Sequence, residues 1–197
     1  MVFDVGGVLL DWNPRHLYRK LFPGREAEME AFLAEICTQA WNERQDCGRP
    51  FADGVAELTA QYPDKADLIA AYDLRWEEMV PGAFEETVAL LHALKAKRCP
   101  VFALTNFSAE KFRLMRKRFA FFDVFDGLVV SGEIGAIKPD PAIFDHLCNA
   151  FGLSPPETVF IDDTQVNVAA AEDLGFQALH FRSADLLASD LKRLGLL

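Results

Sequence analysis

Met1–Val2–Phe3–Asp4–Val5–Gly6–Gly7–Val8–Leu9–Leu10–Asp11 opens the chain. An apolar run enters a carboxylate, and two glycines follow within three residues. An acid at the carboxyl end of a strand, beside a flexible turn, sits where open α/β sheets bind ligands. The glycines let the backbone approach another group closely and permit positive φ. Taken alone, Asp followed by Gly-Gly is also ordinary turn chemistry, so its meaning depends on what the chain brings to it later. Only three residues precede Asp4, whereas strands usually run about five to six. The expectation is a natural start slightly upstream of Met1.

Working outward, Asn13–Pro14 reads as an N-cap followed by proline at the first helical position. Leu17, Tyr18, Leu21 and Phe22 space like a helix that Pro23–Gly24 ends. Met29, Phe32, Leu33, Ile36 and Ala40 predict a second helix over about Glu26–Trp41, and Asn42–Pro50 reads as a polar turn. Phe51, Val55, Leu58 and Tyr62 predict a third helix, and Leu68, Ile69, Tyr72, Trp76 and Met79 a fourth. From Pro81 the grammar changes. Apolar strands at Pro100–Leu104, Gly127–Val130, Thr158–Ile161 and Ala178–Phe181 alternate with helical segments, one of them Pro141–Phe151. Such alternation predicts a parallel sheet with helices on both faces. The expected fold class is therefore α/β: a Rossmann-like three-layer core, residues 1–13 and 81–197, with a helical cap, residues 14–80, inserted after the first strand.

Composition narrows the chemistry. About half of the 197 residues are apolar and the formal net charge is −10, so the chain is globular and presents no nucleic-acid surface. Lys111, Arg113, Arg116, Lys117 and Arg118 cluster on one helix, read as a solvated face. Cys37, Cys47, Cys99 and Cys148 are scattered without a CxxC pair, which suits a reducing compartment and offers neither a zinc site nor a disulfide framework. No apolar run is long enough to span a membrane. The expectation is a cytoplasmic protein, monomer or homodimer, without membrane partners. There is no P-loop and no dinucleotide fingerprint.

Three apolar strands end in chemistry: Asp4, Thr105–Asn106 and Asp162–Asp163. In a parallel sheet these ends share one edge. A fourth element, Gly135–Ala136–Ile137–Lys138–Pro139–Asp140–Pro141, holds a lysine in a proline-flanked loop before a helix. Each piece alone reads as a cap, turn or surface charge; together they form one site. Asp4, Asp162 and Asp163 cannot all ionise in one cleft without compensation. Carboxylate and carbonyl oxygens suit Mg²⁺, usually shared with a phosphate. Lys138 adds a positive charge for phosphate oxygens. Thr105 offers a hydroxyl and Asn106 a backbone N–H. Asp4 is then a carboxylate nucleophile.

Phe3–Asp4–Val5–Gly6–Gly7–Val8, Leu104–Thr105–Asn106, Gly135–Pro141 and Phe160–Ile161–Asp162–Asp163–Thr164 resemble the four motifs of the haloacid dehalogenase (HAD) superfamily, helical-cap branch. The resemblance implies a Mg²⁺-dependent phosphoric monoester hydrolase acting on a small phosphorylated metabolite. It implies that Asp4 attacks phosphorus, that Thr105, Asn106, Lys138 and Gly7 surround the phosphoryl group, and that Asp4, the Gly6 carbonyl and Asp163, supported by Asp162, hold the metal. One departure matters. Family phosphatases carry a second Asp two residues after the nucleophile to move the leaving-group proton, and this chain has Gly6 there. General acid–base help is worth about 10²–10⁴-fold. A similar gap occurs in a branch resembling bacterial sugar-phosphate phosphatases, so a sugar phosphate is the favoured substrate. Asp11 is read as a turn residue before Trp12, with a proton-carrying role as its alternative.

The alternatives are a metal-free 2-haloacid dehalogenase, whose carboxylate substrate the Asp162–Asp163 pair would repel, and a weakly active pseudo-enzyme that keeps the metal and phosphate pocket. A phospho-receiver domain uses the same residue types, but with its acid pair before the acceptor. Substrate choice is assigned to the cap. Arg44, with Arg49, is the candidate reader of a second anionic group, against a reading as solvated charge, and Trp41 as core packing. Phe119–Phe125 and His180 are assigned to the core.

Overall fold

A computed structural model describes all residues 1–197. Five strands, β1 (Val2–Phe3), β2 (Phe102–Thr105), β3 (Gly127–Val130), β4 (Val159–Asp162) and β5 (Gln177–His180), form one parallel sheet in the order β3-β2-β1-β4-β5. β1 is short but central. The chain steps from it to one side for β2 and β3, then crosses to the other for β4 and β5. That reversal makes the carboxyl end of β1 the switch point, the place where such sheets bind ligands.

Between β1 and β2 lie six helices: α1 (Arg15–Leu21), α2 (Glu26–Glu35), α3 (Gln39–Asp46), α4 (Phe51–Gln61), α5 (Ala66–Leu74) and α6 (Glu85–Ala96). Later come α7 (Ala109–Arg118), α8 (Ser131–Ile134), α9 (Pro141–Phe151), α10 (Gln165–Asp173) and α11 (Ala184–Arg193). The local causes are visible in the sequence. Asp140 caps α9 through the Ala142 N–H at 2.9 Å, Pro141 fills its first turn, and Gly152 ends it in the left-handed region.

One expectation is corrected. The helix over Glu26–Trp41 is two helices: α2 stops at Glu35, and Thr38 starts α3 by accepting the Trp41 N–H on its hydroxyl at 3.1 Å. The segment read as a polar turn is thus mostly helix. Its apolar periodicity is missing because one face of α3 lines a cleft instead of packing in the core.

The sheet and the inserted helices share a continuous apolar cluster that includes Phe3, Val5, Leu17, Tyr18 and Tyr72. Tyr18, Phe32, Trp41, Phe51 and Tyr72 meet at ring separations of 5.0–6.3 Å, each such pair adding about 0.5–1.5 kcal/mol to simple burial. Tyr18 satisfies its hydroxyl on the Leu68 carbonyl at 2.9 Å. Phe121 and Phe122 are buried, as expected of that aromatic stretch.

Lys111 departs from the solvated-face reading. It is buried, pairs with the Asp73 carboxylate, donates to the Asp73 carbonyl at 3.1 Å and lies 4.6 Å from the Phe51 ring centre. It is one residue off the buried Phe112/Met115 stripe of α7, and the inserted helices bring it a partner. Arg113, Arg116, Lys117 and Arg118 remain exposed. His180 departs too: β5 is an edge strand, and this residue at its end is exposed, its Nε2 2.9 Å from the Asp163 carbonyl. No helix is long and apolar enough to cross a membrane.

Candidate active site

The parallel ladder brings together the residues that end its strands. Asp4 follows β1, Thr105 ends β2, Asp162 ends β4, and Lys138 enters from the loop between α8 and α9. Asp4 Oδ1 accepts from the Val5 N–H at 2.6 Å and lies 2.9 Å from Lys138 Nζ. Lys138 is 3% exposed. Its ammonium also donates to Asp162 Oδ2 at 2.6 Å and to the Leu104 carbonyl at 2.9 Å. Two hydrogen bonds and the ion pair with Asp4 thus hold the ammonium in place. Asn106 fixes the lysine from behind: its Nδ2 donates to the Lys138 carbonyl at 2.9 Å, and its Oδ1 accepts the Lys138 N–H at 2.7 Å.

The two adjacent acids divide their work. Asp162 is fully buried; its Oδ1 accepts from the Thr164 N–H and Asn167 Nδ2 at 2.9 and 3.0 Å, and its Oδ2 from Lys138. Asp163 is exposed to the cleft. Carboxylate oxygens of Asp4, Asp162 and Asp163 lie within 4.8 Å of one another. Burial, and then the neighbouring Asp162 and Asp163, push the Asp4 carboxyl well above the usual range, although Lys138 pulls it down. Asp163 is raised by burial and by Asp162. For Lys138, burial lowers the proton affinity, and Asp4 with Asp162 outweigh it, so it stays charged. Ionised together, three acids facing one ammonium would leave two negative charges without a partner, and the raised proton affinities of Asp4 and Asp163 reflect that.

Those residues fit a hard divalent cation. Gly7 has φ +75°, and a Cβ there would lie 2.1 Å from Asp163 Oδ2 and 2.6 Å from its Cγ. Only a glycine lets the Asp163 carboxylate stand beside Asp4. The Thr105 hydroxyl is buried without a hydrogen-bond partner, and the Asn106 N–H has no acceptor within the chain. Buried polar groups are normally satisfied, so the Thr105 hydroxyl marks where an oxygen-rich ligand belongs, and the half-buried Asn106 N–H is free to donate to it.

Above this edge lies a cavity of about 540 Å³. The sheet contributes Asp4, Gly6, Gly7, Asn106, Lys138 and Asp163 to its wall. Gln39, Asn42, Glu43 and Asp46 line it from α3. Their spacing of i, i+3, i+4, i+7 is one helical face. The apolar wall is Trp12, Trp76, Phe107 and Val166. Thr38 as N-cap and this polar spacing were the signals available in the sequence for the α3 residues.

Two expected roles are corrected, and the alternative role for Asp11 finds no support. Arg44 does not line the cleft; it is exposed and pairs with Glu57 at 3.1 Å. It sits two residues from Asp46, which on a helix is nearly the opposite face. Gly7 lines the cleft, but its N–H donates to the Leu10 carbonyl at 2.9 Å and is not free for substrate. Asp11 lies outside the cavity wall and bonds His16 Nε2 at 2.9 Å.

Comparison with known proteins bears on the family and the fold. The model of the haloacid dehalogenase-like hydrolases matches residues 1–175. A sesquiterpene phosphatase of Aspergillus oryzae is 27% identical over 98% of this chain and 94% of its own length. An (S)-2-haloacid dehalogenase of Burkholderia cepacia is 24% identical over 90% of this chain and 80% of its own. The fold matches a HAD family enzyme of Bacteroides thetaiotaomicron, solved as a magnesium complex, with a TM-score of 0.70 and 24% identity over 92% of this chain and 91% of that one.

Proposed function

This chain belongs to the haloacid dehalogenase-like hydrolases, and on that premise we propose that it is a Mg²⁺-dependent phosphatase of small phosphorylated metabolites. One observation carries the reading: a buried carboxylate, Asp4, stands at the switch point between a fixed ammonium and a second acid, and the adjacent strand β2 ends in a buried, unpartnered hydroxyl, Thr105. Relatives named as phosphatases support it. Asp4, Asp163 and the Gly6 carbonyl would hold the metal, while Asp162 orients Lys138 and the Thr164 turn. When bound, Mg²⁺ supplies positive charge to the acids and to the phosphoryl oxygens.

Asp4 Oδ attacks phosphorus, the bond to the leaving oxygen breaks, and an aspartyl-phosphate forms. As charge leaves Asp4 for the phosphoryl oxygens, Lys138 is already beside it and needs no reorganisation. Thr105 and the Asn106 N–H receive equatorial oxygens. Water then attacks the same phosphorus and frees Asp4. The cavity size suits a small leaving group. The polar face of α3, with the buried Asn42 Oδ1 lacking a donor, favours one bearing hydroxyls, such as a sugar. We take helices α1–α5 as the cap that selects it.

The metal-free dehalogenase reading is weaker here. A carboxylate substrate would meet three acids, and both cations of the cavity are already paired: Lys138 with Asp4 and Asp162, and Arg15 with Glu30. The test is phosphate release from pentose, hexose and glycerol phosphates, phosphoglycolate, a prenyl phosphate and p-nitrophenyl phosphate, with Mg²⁺ and with EDTA. Metal-dependent release that vanishes in Asp4→Asn is expected. Halide release from a 2-haloacid in EDTA, without phosphate release, would overturn the reading.

A further inference from the structure

The site as described has no proton carrier. Gly6, two residues after Asp4, has no side chain to carry a proton, and the Lys138 ammonium is held by Asp162, the Leu104 carbonyl and Asp4. Water could fill the gap, but the cleft holds another acid in a built setting. Asp46 ends α3 and faces the same cavity as Asp4. Asn42 Nδ2 donates to its Oδ2 at 2.8 Å, and the Ser108 backbone on the core side stabilises its charged form. Its carbonyl accepts the Ser131 hydroxyl at 2.5 Å, and Ser131 Oγ in turn accepts the Phe107 N–H at 2.8 Å. Apart from Asn42 on the same helix, the residues that hold Asp46 follow Thr105–Asn106 directly or start α8. Its position is set from the phosphate side of the cleft, not by the inserted helices alone.

Resting on the phosphatase reading above, we propose that Asp46 is the general acid and base of the reaction, supplied by the inserted helices in place of the acid absent at Gly6. In the first half-reaction the Asp4 Oδ–P bond forms, the P–O bond to the alcohol breaks, and the Asp46 proton passes to the departing alkoxide. In the second, Asp46 takes a proton from water as its oxygen bonds phosphorus and the Asp4 Oδ–P bond breaks. Phosphate leaves and Asp46 is again protonated.

Its environment suits the task. Burial, and secondarily Glu43 on the same helix, push the carboxyl up to about 7 against the Ser108 backbone. From α5 the buried Tyr72 hydroxyl faces it, and the core side presents only the neutral Ser108 and Ser131. An acid with a proton affinity near working pH is the efficient kind. The neighbouring Asn42 Oδ1, buried and unpartnered, would accept a hydroxyl of the same leaving group.

The test compares Asp46→Asn with wild type on two esters: the sugar phosphate the wild type turns over fastest, and p-nitrophenyl phosphate, whose anion leaves without a proton. The expected loss on the sugar phosphate is about 10²–10³-fold. With p-nitrophenyl phosphate, the variant should release one equivalent of nitrophenolate in a burst and then stall as phospho-Asp4, because only its second step needs a base. A residue that merely held α3 in place would slow both esters alike and give no burst. Equal losses without a burst, or no loss, would overturn the assignment. So would a wild type that hydrolyses p-nitrophenyl phosphate but no alkyl ester. Gly6→Asp in the Asp46→Asn background supplies a second readout, since a Cβ at Gly6 meets no atom within 4 Å. Recovery of sugar-phosphate turnover is expected. If Asp46→Asn does not fold, the wild-type pH profile decides: sugar-phosphate turnover must fall above about pH 7 while the first-turnover rate of nitrophenolate release does not, and parallel profiles refute the role. Absence of Mg²⁺-dependent phosphate release in wild type sinks the phosphatase reading itself, a separate outcome.

Discussion

Gly7→Ala tests the metal edge of the site with one methyl group. The native backbone there has φ +75°, and a non-glycine residue in that region costs about 1–2 kcal/mol. At roughly 2–4 °C per kcal/mol for a chain of this size, the melting temperature should fall by about 2–8 °C. The larger effect is local. The new methyl would stand 2.1 Å from Asp163 Oδ2 and 2.6 Å from Cγ, so rotating the carboxylate alone does not relieve it. To regain an ordinary separation the group must retreat by more than about 1 Å. A displacement of that size in a reacting constellation costs about a hundredfold in rate. The assay is phosphate release against Mg²⁺ concentration, with a thermal melt alongside. Gly6→Ala is the control, because its Cβ has open space. It should melt near wild type and need no more metal. A Gly7→Ala protein with wild-type turnover and metal requirement would refute the reasoning about Asp163.

Lys138→Met should abolish turnover and destabilise by about 3–5 kcal/mol, read by urea denaturation, because it strips Asp4 and Asp162 of their buried partner. Arg44→Ala should keep wild-type kcat and KM on every substrate, since its charge lies on Glu57 at the surface, and should shift stability by less than about 1 kcal/mol. Stability should also record the Asp46 carboxyl: held at about 7 in the folded protein against 3.8 ordinarily, it favours folding below about pH 4 relative to higher pH, and that contribution is lost as pH rises towards about 7. Melts of wild type and Asp46→Asn should therefore diverge in favour of the variant between those limits.

The catalytic edge was legible because its residues end apolar strands, and a parallel sheet puts all such ends together whatever their distance in sequence. Asp4, Thr105 and Asp162 needed only the alternation of strands and helices to be assembled; Lys138, in the loop between α8 and α9, was legible from its proline-flanked setting in Gly135–Pro141. The α3 face was not legible for the opposite reason. Asn42 and Asp46 are polar on a helix whose usual core stripe is interrupted by the cleft, so periodicity pointed to a turn. Which face met the cavity depended on docking against Ser131, 85 residues away. Arg44 was chosen for its charge, yet two residues along a helix separate the cleft face from the solvent face. Lys111 and His180 failed similarly: a cation found a buried partner in Asp73, and a strand residue fell on an exposed edge. In each case the deciding contact lay between elements far apart in the chain.

The most direct measurement is an acid quench during turnover of p-nitrophenyl phosphate with Mg²⁺, followed by mass spectrometry of the peptide that carries Asp4. The account predicts a phosphoryl group on Asp4 within the enzyme's turnover time, absent in EDTA and in Asp4→Asn. Sustained phosphate release with no phosphoryl group on that peptide, and undiminished in Asp4→Asn, would contradict it.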